Sequence, residues 1–262
     1  MLTRILRPSP SLLLLLCLWA VQASAAEALV FCLEKADVRP WRTQDGRGLN
    51  IELLDRVALR LGVKFEYRGL PWKRCLADLK ANAVDGAIGA SFKQERLAFG
   101  VYPGGATADA SKRLNNERYI VLRRKDSAVR WDGSAFHGLD GPVGVQLGYS
   151  VGDQLRALGA TVDEGAEKPF ELAQKLAAGR VAAAAMLAGE VTVLMEQHPQ
   201  LKTQLEALPL PLVEKPYFLM LSNELVNSRR ALSERLWRTI EAVRNSRQYQ
   251  QSERAALRHG GH

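Results

Sequence analysis

Four histidines, three cysteines and a scatter of carboxylates are the side chains of this chain best able to do covalent or metal chemistry. A hydrolase needs a nucleophile beside a base, or a metal that activates water. His137, His198, His259 and His262 do not have metal-ligand spacing with one another or with a cysteine in a regular element, and the last two stand in a Gly-rich tail. The chain carries no Gly-x-Ser-x-Gly elbow, no phosphate loop ending in Gly-Lys-Ser and no dinucleotide fingerprint; Gly141, Gly144 and Gly148 are too loosely spaced for one. Acid pairs occur as in any chain. The residue types point to non-covalent recognition rather than to catalysis, and neither a cofactor nor a metal is expected.

Redox compartment and charge narrow the class. Arg4 and Arg7, the apolar run from Leu12 to Trp19 and the small residues Ala23-Ser24-Ala25 read as a secretory leader, with cleavage after Ala25 or Ala26. As a membrane anchor the run is too short, since a span takes about 20 residues. Leu16 before Cys17 argues against a lipoprotein. Beyond the leader only Cys32 and Cys75 remain. An even count in an oxidising compartment favours a disulfide, with two buried thiols as the alternative. The bridge would tie the first strand to the helix that follows Trp72. The formal net charge of +8 includes the two leader arginines. The remaining Lys and Arg are scattered, and neither Arg123-Arg124-Lys125 nor Arg229-Arg230 is interleaved with aromatics, so no nucleic-acid platform is expected. A basic surface suits anionic solutes.

The elements that must position any site follow from periodicity. Ala28 to Leu33 is a buried strand. Pro40 and the Asp45-Gly46 and Arg47-Gly48 pairs mark a loop. Leu49, Leu53, Leu54, Val57, Ala58 and Leu61 share one helical face, and Gly62 stops the helix. A strand over Val63, Phe65 and Tyr67, a helix from Trp72 to Ala81 with Leu76 and Leu79 inward, and a strand from Val84 to Ala90 complete a first α/β unit with right-handed crossovers. Few apolar residues lie between Gly104 and Asn116, where the chain is expected to leave the first unit. A second unit runs through the strand Val143–Gln146, a helix over 152–158, a strand over 160–162, the helix Pro169–Ala178, a strand over 181–187 and a helix over 189–197. Tyr119 to Leu122 and Pro211 to Leu219 look like crossing segments. Leu232, Leu236, Ile240 and Val243 stripe a final helix.

Three segments in this order resemble the family 3 bacterial extracellular solute-binding proteins, the polar amino-acid type that feeds ABC importers. They are the Gly-x-Gly turn and aliphatic helix of 46–62; the run over 70–103 with Leu-Pro-Trp-Lys-Arg-Cys-Leu, Val-Asp-Gly-Ala-Ile-Gly-Ala-Ser, Gln-Glu-Arg and Phe-Gly-Val-Tyr-Pro; and Val-Gly-Val-Gln-Leu-Gly-Tyr-Ser over 143–150. The Trp-Lys-Arg-Cys variant and the 104–116 insert mark a divergent branch. The resemblance implies an α/β fold of two lobes, each a mostly parallel sheet flanked by helices, of the type II periplasmic binding protein class. On that pattern residues 1–25 are the leader, 26–116 the first part of lobe one, 117–216 lobe two, and 217–262 the return to lobe one with a terminal helix.

The resemblance also implies site residues. Arg96 would grip a ligand carboxylate, as the planar fork of a guanidinium allows; the plain alternative is a surface ion pair with Glu95 or Asp85. Gly89 and Ser91, at the end of a small-residue strand, would contact the same ligand, or merely form a turn. Gly148, Tyr149 and Ser150 precede a helix whose free N–H groups suit a carboxylate, and Ser150 would join the clamp or cap the helix. Trp41 leans to the cleft; Trp72 is divided evenly between cleft and core. Asp37 and Arg74 are rim candidates. The aspartate that usually meets the ligand amine is replaced by Leu187, and Glu190 is the nearest acid and the candidate amine partner. The expected function is periplasmic capture of a small carboxylate-bearing solute, an amino acid or relative, by a monomer that serves an ABC permease. A sensing module without a transporter and a dehydratase on the same fold stand as alternatives.

Overall fold

The computed structural model describes residues 28–259, so the expected leader lies outside the described residues. The core starts from β1 (Leu29–Glu34), which is buried along nearly its whole length. It pairs in parallel with β2 (Phe65–Leu70) on one side and with β3 (Gly86–Ser91) on the other. Two helices make the crossovers. α1 (Leu49–Leu61) buries Leu49, Ile51, Leu53, Leu54 and Val57 and stops at Gly62, whose φ of 67° is open to a residue without Cβ. α2 (Trp72–Lys80) buries Trp72, Cys75 and Leu79. Cys75 lies one helical turn from Trp72, on the face that meets β1, and it is joined to Cys32 by a disulfide with Cα atoms 5.6 Å apart.

Past the short β4 (Gly100–Val101), the chain enters β5 (Asn115–Arg124), followed by the small hairpin β6 (Arg130–Trp131) and β7 (Phe136–His137). The second α/β unit comprises β8 (Val143–Gln146), α3 (Val151–Ala157), β9 (Val162–Ala166), α4 (Pro169–Ala177), β10 (Ala183–Leu187), α5 (Ala188–Gln197) and α6 (Leu201–Gln204). Then come β11 (Leu205–Ala207), β12 (Val213–Ser222), α7 (Asn223–Ser228), α8 (Arg230–Arg244) and α9 (Arg247–His259). The main sheet has the order β2-β1-β3-β12-β5-β10-β8-β9, with β4 on β12 and β11 on β5.

β5 and β12 are the ten-residue strands that join the two halves. They pair antiparallel with each other over Asn115–Tyr119 and Val213–Tyr217. Beyond that overlap, β12 pairs with β3 through Tyr217–Leu221, and β5 pairs with β10 through Tyr119–Arg123. The parallel pairs lie outward on either side. The fold is therefore two α/β layers of mostly parallel sheet connected by a pair of crossing strands, as the resemblance implies.

Details differ from the sequence reading where local pattern is weak. β2 starts at Phe65 rather than Val63, and β9 occupies 162–166 rather than 160–162. The crossing strands are longer than the apolar runs at their centres, because charged residues such as Arg118 and Glu214 continue the ladder at its exposed face. The β6–β7 hairpin and β11 are too short to show a period. The sequence pattern does not mark α9, whose few apolar residues show no period; Tyr249 is buried and donates its hydroxyl to Leu49 O at 3.2 Å, and Ala256 packs against the core. The 104–116 stretch is pinned from α8, where Arg244 donates to Arg113 O and Ser111 O. Among the described residues no helix is long and apolar enough to cross a membrane.

Candidate functional site

The end of β3 shapes the first wall. Gly89 has φ 77° and sits where the pairing with β12 slips, so the strand bulges there. A residue with a Cβ would be strained at that φ, and its Cβ would also stand 3.5 Å from Arg42 Nη1. The bulge carries Ser91 to the cavity between the two halves of the sheet. A short 3₁₀ turn, Gln94–Ala98, then folds Arg96 back against the strand it follows.

Arg96 is 2% exposed. It donates through Nη1 to Ser91 O at 2.8 Å and through Nη2 to Gly148 O at 2.9 Å, and its Cζ lies 5.4 Å from the Trp72 ring centre. The surface ion-pair alternative does not hold: Glu95 pairs with Lys93, and Asp85 accepts from Val30 N. Among the described residues no carboxylate lies within ion-pair distance of Arg96, and its Nε has no hydrogen-bond partner.

The second wall comes from the loop that ends β8. Ser150 stands at the start of α3, yet its side chain caps nothing. Its Oγ is instead 2.6 Å from Ser91 Oγ, across the two halves. Tyr149 turns inward and donates to Glu190 Oε1 at 2.8 Å. Leu187, at the end of β10, contributes an apolar face. Tyr119 and Tyr217 reach in from the crossing strands, hydroxyl to hydroxyl at 2.9 Å. Lys215 adds a donor to Ser150 O at 3.4 Å, and its ammonium is held below the ordinary lysine range by burial. Lys93 Nζ meets Asp153 Oδ2 at 3.4 Å and Arg39 meets Glu196 at 2.9 Å, so the halves touch at several points. The space between the walls is about 20 Å³, room for about one water.

The cavity thus brings together Arg96, Ser91, Gly89, Trp72, Tyr149 and Ser150 of the sequence-predicted residues, with the Gly148 carbonyl beside them. Trp41 is not among them. It is buried against the α1 side, with its carbonyl accepting from Asn50 N, and it borders a separate groove with Arg39 and Pro40. Arg74 pairs with Asp78 away from the cavity, and Asp37 holds Gln44 N. Glu190 stands one layer behind the cavity wall and borders a neighbouring groove of about 370 Å³ with Glu34, Phe170 and His198.

Sequence reading missed Glu34, Arg42, Tyr119, Tyr217 and Glu117. Glu34 is the last residue of β1; its two oxygens accept from Ala36 N at 2.9 Å and Trp72 N at 2.7 Å, the latter at the start of α2. Arg42 is 3% exposed, in the β1–α1 loop. Burial opposes its charge, but Tyr149, Glu117, Glu190 and Glu34 around it outweigh that and raise its pKa. Burial pushes the Glu117 carboxyl up to about 8 and that of Glu190 to about 7, against the pull of Arg42. The signal in the chain for Arg42 is its adjacency to Trp41, and for Tyr119 and Tyr217 their place in the two crossing segments. Among the described residues no group of three His, Cys, Asp or Glu could hold a metal ion. The arrangement is suited to holding an anion between two walls.

The family model for bacterial extracellular solute-binding proteins, family 3, matches residues 35–257. No curated protein matches the chain in sequence. Among solved structures, a histidine kinase sensor domain with similarity to periplasmic binding proteins is similar over 88% of this chain and 96% of its own, with a TM-score of 0.69 at 19% identity. The arginine-, lysine-, histidine-binding protein ArtJ from Geobacillus stearothermophilus is similar over 88% and 95%, with a TM-score of 0.67 at 18% identity. The substrate-binding protein of an amino acid ABC transporter is similar over 86% and 96%, with a TM-score of 0.63 at 18% identity. At these identities the likeness is one of fold.

Proposed function

The chain belongs to the bacterial extracellular solute-binding proteins of family 3, and we propose that it captures a small carboxylate-bearing solute, an amino acid or relative, between two lobes that close on it. The observation that carries this reading is Arg96: a buried guanidinium at the cleft with no carboxylate in ion-pair range among the described residues. A buried charge without a counter-charge is costly, and a ligand carboxylate would offset that cost through a bidentate, charge-assisted contact. Ser91 and Ser150 supply hydroxyls from opposite walls, and Trp72 supports the guanidinium.

In this reading residues 26–116 and 217–262 form one lobe and 117–216 the other, with β5 and β12 as the hinge. A cavity of about 20 Å³ holds no solute of that class, so the Ser91–Ser150 contact must part to admit one. A ligand touching both walls prefers the closed state, and that difference in affinity drives closure. The leader directs the chain to the periplasm, where the closed, liganded form is presented to an ABC permease of the inner membrane. A sensory module without a transporter is the second reading, favoured by the likeness to a histidine kinase sensor domain over 88% of the chain.

A thermal-shift screen of the purified protein against amino acids, their deaminated analogues and other small carboxylates tests the binding role, because a ligand that binds only the folded state raises apparent stability. A shift with carboxylate ligands supports it; no shift with any of them sinks it. Deleting the gene then separates the partners: loss of uptake of that ligand supports import, while intact uptake with a lost cellular response to it supports sensing.

A further inference from the structure

The cavity has a second buried guanidinium. Arg42 reaches it from the β1–α1 loop, passing the Gly89 bulge, and is 3% exposed. Its Nε has no hydrogen-bond partner, and among the described residues no carboxylate lies within ion-pair distance of it. The acids nearest in charge, Glu117 and Glu190, each keep one oxygen unpartnered and are held toward the protonated form by burial. With Tyr149 and Glu34 they favour its charged form against burial, yet none of them makes an ion pair with it. Glu34, the acid on the cavity wall, accepts a backbone N–H at each oxygen.

The opposite wall lacks what an ammonium group would need. Leu187 presents a buried apolar side chain there. Glu190 has one oxygen engaged by Tyr149 and Gln146 and borders the neighbouring groove rather than this cavity. An α-amine placed in the cleft would stand between two guanidinia, with Leu187 on the opposite wall and with Glu34, already accepting from two backbone N–H groups, as the one acid lining the cavity, so its desolvation would be poorly compensated. Two carboxylates would instead each meet a planar donor fork.

We propose that Arg42 is a second anchor of the site, and that Arg42 and Arg96 together hold the two carboxylates of a short dicarboxylate that has no α-amine. This assignment rests on the cleft being the solute site and specifies the ligand class that site takes. Ser91, Ser150, Tyr119 and Tyr217 line the rest of the cavity and provide neutral hydroxyls for the remaining carboxylate lone pairs.

The test is calorimetric titration of the purified protein with malonate and succinate, against propionate and butyrate, L-alanine and L-aspartate, and inorganic phosphate. A second charge-assisted contact makes each dicarboxylate bind roughly 10–100-fold tighter than the monocarboxylate of equal length. Both dicarboxylates also bind tighter than L-aspartate and phosphate. Arg42→Gln brings the dicarboxylates down to the monocarboxylate level and leaves monocarboxylates within about threefold, since only the second contact is lost. Arg42→Lys keeps the charge but not the fork and falls between the two; it carries the test if Arg42→Gln does not fold. A purely structural Arg42 would lower mono- and dicarboxylates alike, and that result overturns the assignment. So does tighter binding of phosphate or of either amino acid, which leaves the solute-binding role standing if amino acids bind through Arg96. Silence from every probe overturns both.

Discussion

Arg96→Ala separates a ligand-binding arginine from a structural one, and the two effects can be worked out separately. In the unliganded protein the change removes two hydrogen bonds, to Ser91 O and to Gly148 O. Ser91 O keeps the Tyr102 hydroxyl at 2.7 Å, so only the half-buried Gly148 carbonyl loses its donor. That loss, together with the contact to Trp72, costs about 1–3 kcal/mol. Removing a buried charge that has no acidic partner works in the other direction. Folding stability should therefore fall by no more than about 2 kcal/mol. Ligand binding loses a bidentate charged contact, about 1.5–3 kcal/mol for each hydrogen bond, or roughly a hundredfold to ten-thousandfold in Kd. Arg124→Ala is the matched control. Arg124 pairs with Asp126 at 3.3 Å away from the cavity, and its removal should leave Kd within about twofold. Calorimetric titration with a ligand from the screen, beside urea unfolding of each variant, reads both quantities. Equal losses of affinity in the two variants, or a loss for Arg96→Ala matched by its loss of stability, would refute the assignment.

Three further outcomes follow from the geometry. Because the Ser91 and Ser150 hydroxyl oxygens stand 2.6 Å apart across the cleft, the double variant Ser91→Cys/Ser150→Cys should oxidise to a bridge that blocks ligand entry, with binding restored by mild reduction; unimpaired binding by the bridged form would remove the need for opening. Glu190 has a folded-state pKa of about 7 against an ordinary 4.5, so the folded chain holds its proton more tightly than the unfolded chain. Its contribution is full below pH 4.5 and is lost as pH rises through 7, amounting to roughly 2–4 kcal/mol. Urea midpoints should thus decline with pH across that window and decline less in Glu190→Gln; parallel curves for the two proteins would count against it. The Cys32–Cys75 bridge closes a loop of sequence separation 43, for which chain entropy gives at most about 4 kcal/mol. Cys32→Ser/Cys75→Ser should lower the unfolding free energy toward that amount, and an unchanged midpoint would mean that the bridge adds nothing to folding.

Local pattern alone determined most of the elements and their order, with β6, β7, β11 and α9 among the exceptions. The aliphatic face of 49–61 with its Gly62 stop, the stripe Leu236, Ile240 and Val243 in α8, and the proline that opens α4 are each written within one or two helical turns, and each is found where the period puts it. The order of the segments marks the family, and it is that resemblance, not the period, that singles out Ser91, Arg96, Tyr149 and Ser150, which the structure brings to one cavity. Tertiary structure decided what surrounds them. Ser91 meets Ser150 across 59 residues, and Arg96 donates to Gly148 across 52. Arg42 sits in a loop without periodicity, in a sequence context of Pro40, Thr43 and Gln44 that looks solvated, yet it is more buried than its neighbour Trp41, which the sequence favoured. Glu117 shares the buried face of β5 with Tyr119 and Val121, but that a carboxylate there and Glu190 on α5 are cut off from water is decided where the two halves of the sheet meet at the crossing strands. Helix and strand periods report which side of an element is dry. They do not report which long polar side chain a loop turns into a cleft, because that depends on partners brought together only when the two halves of the sheet close over it.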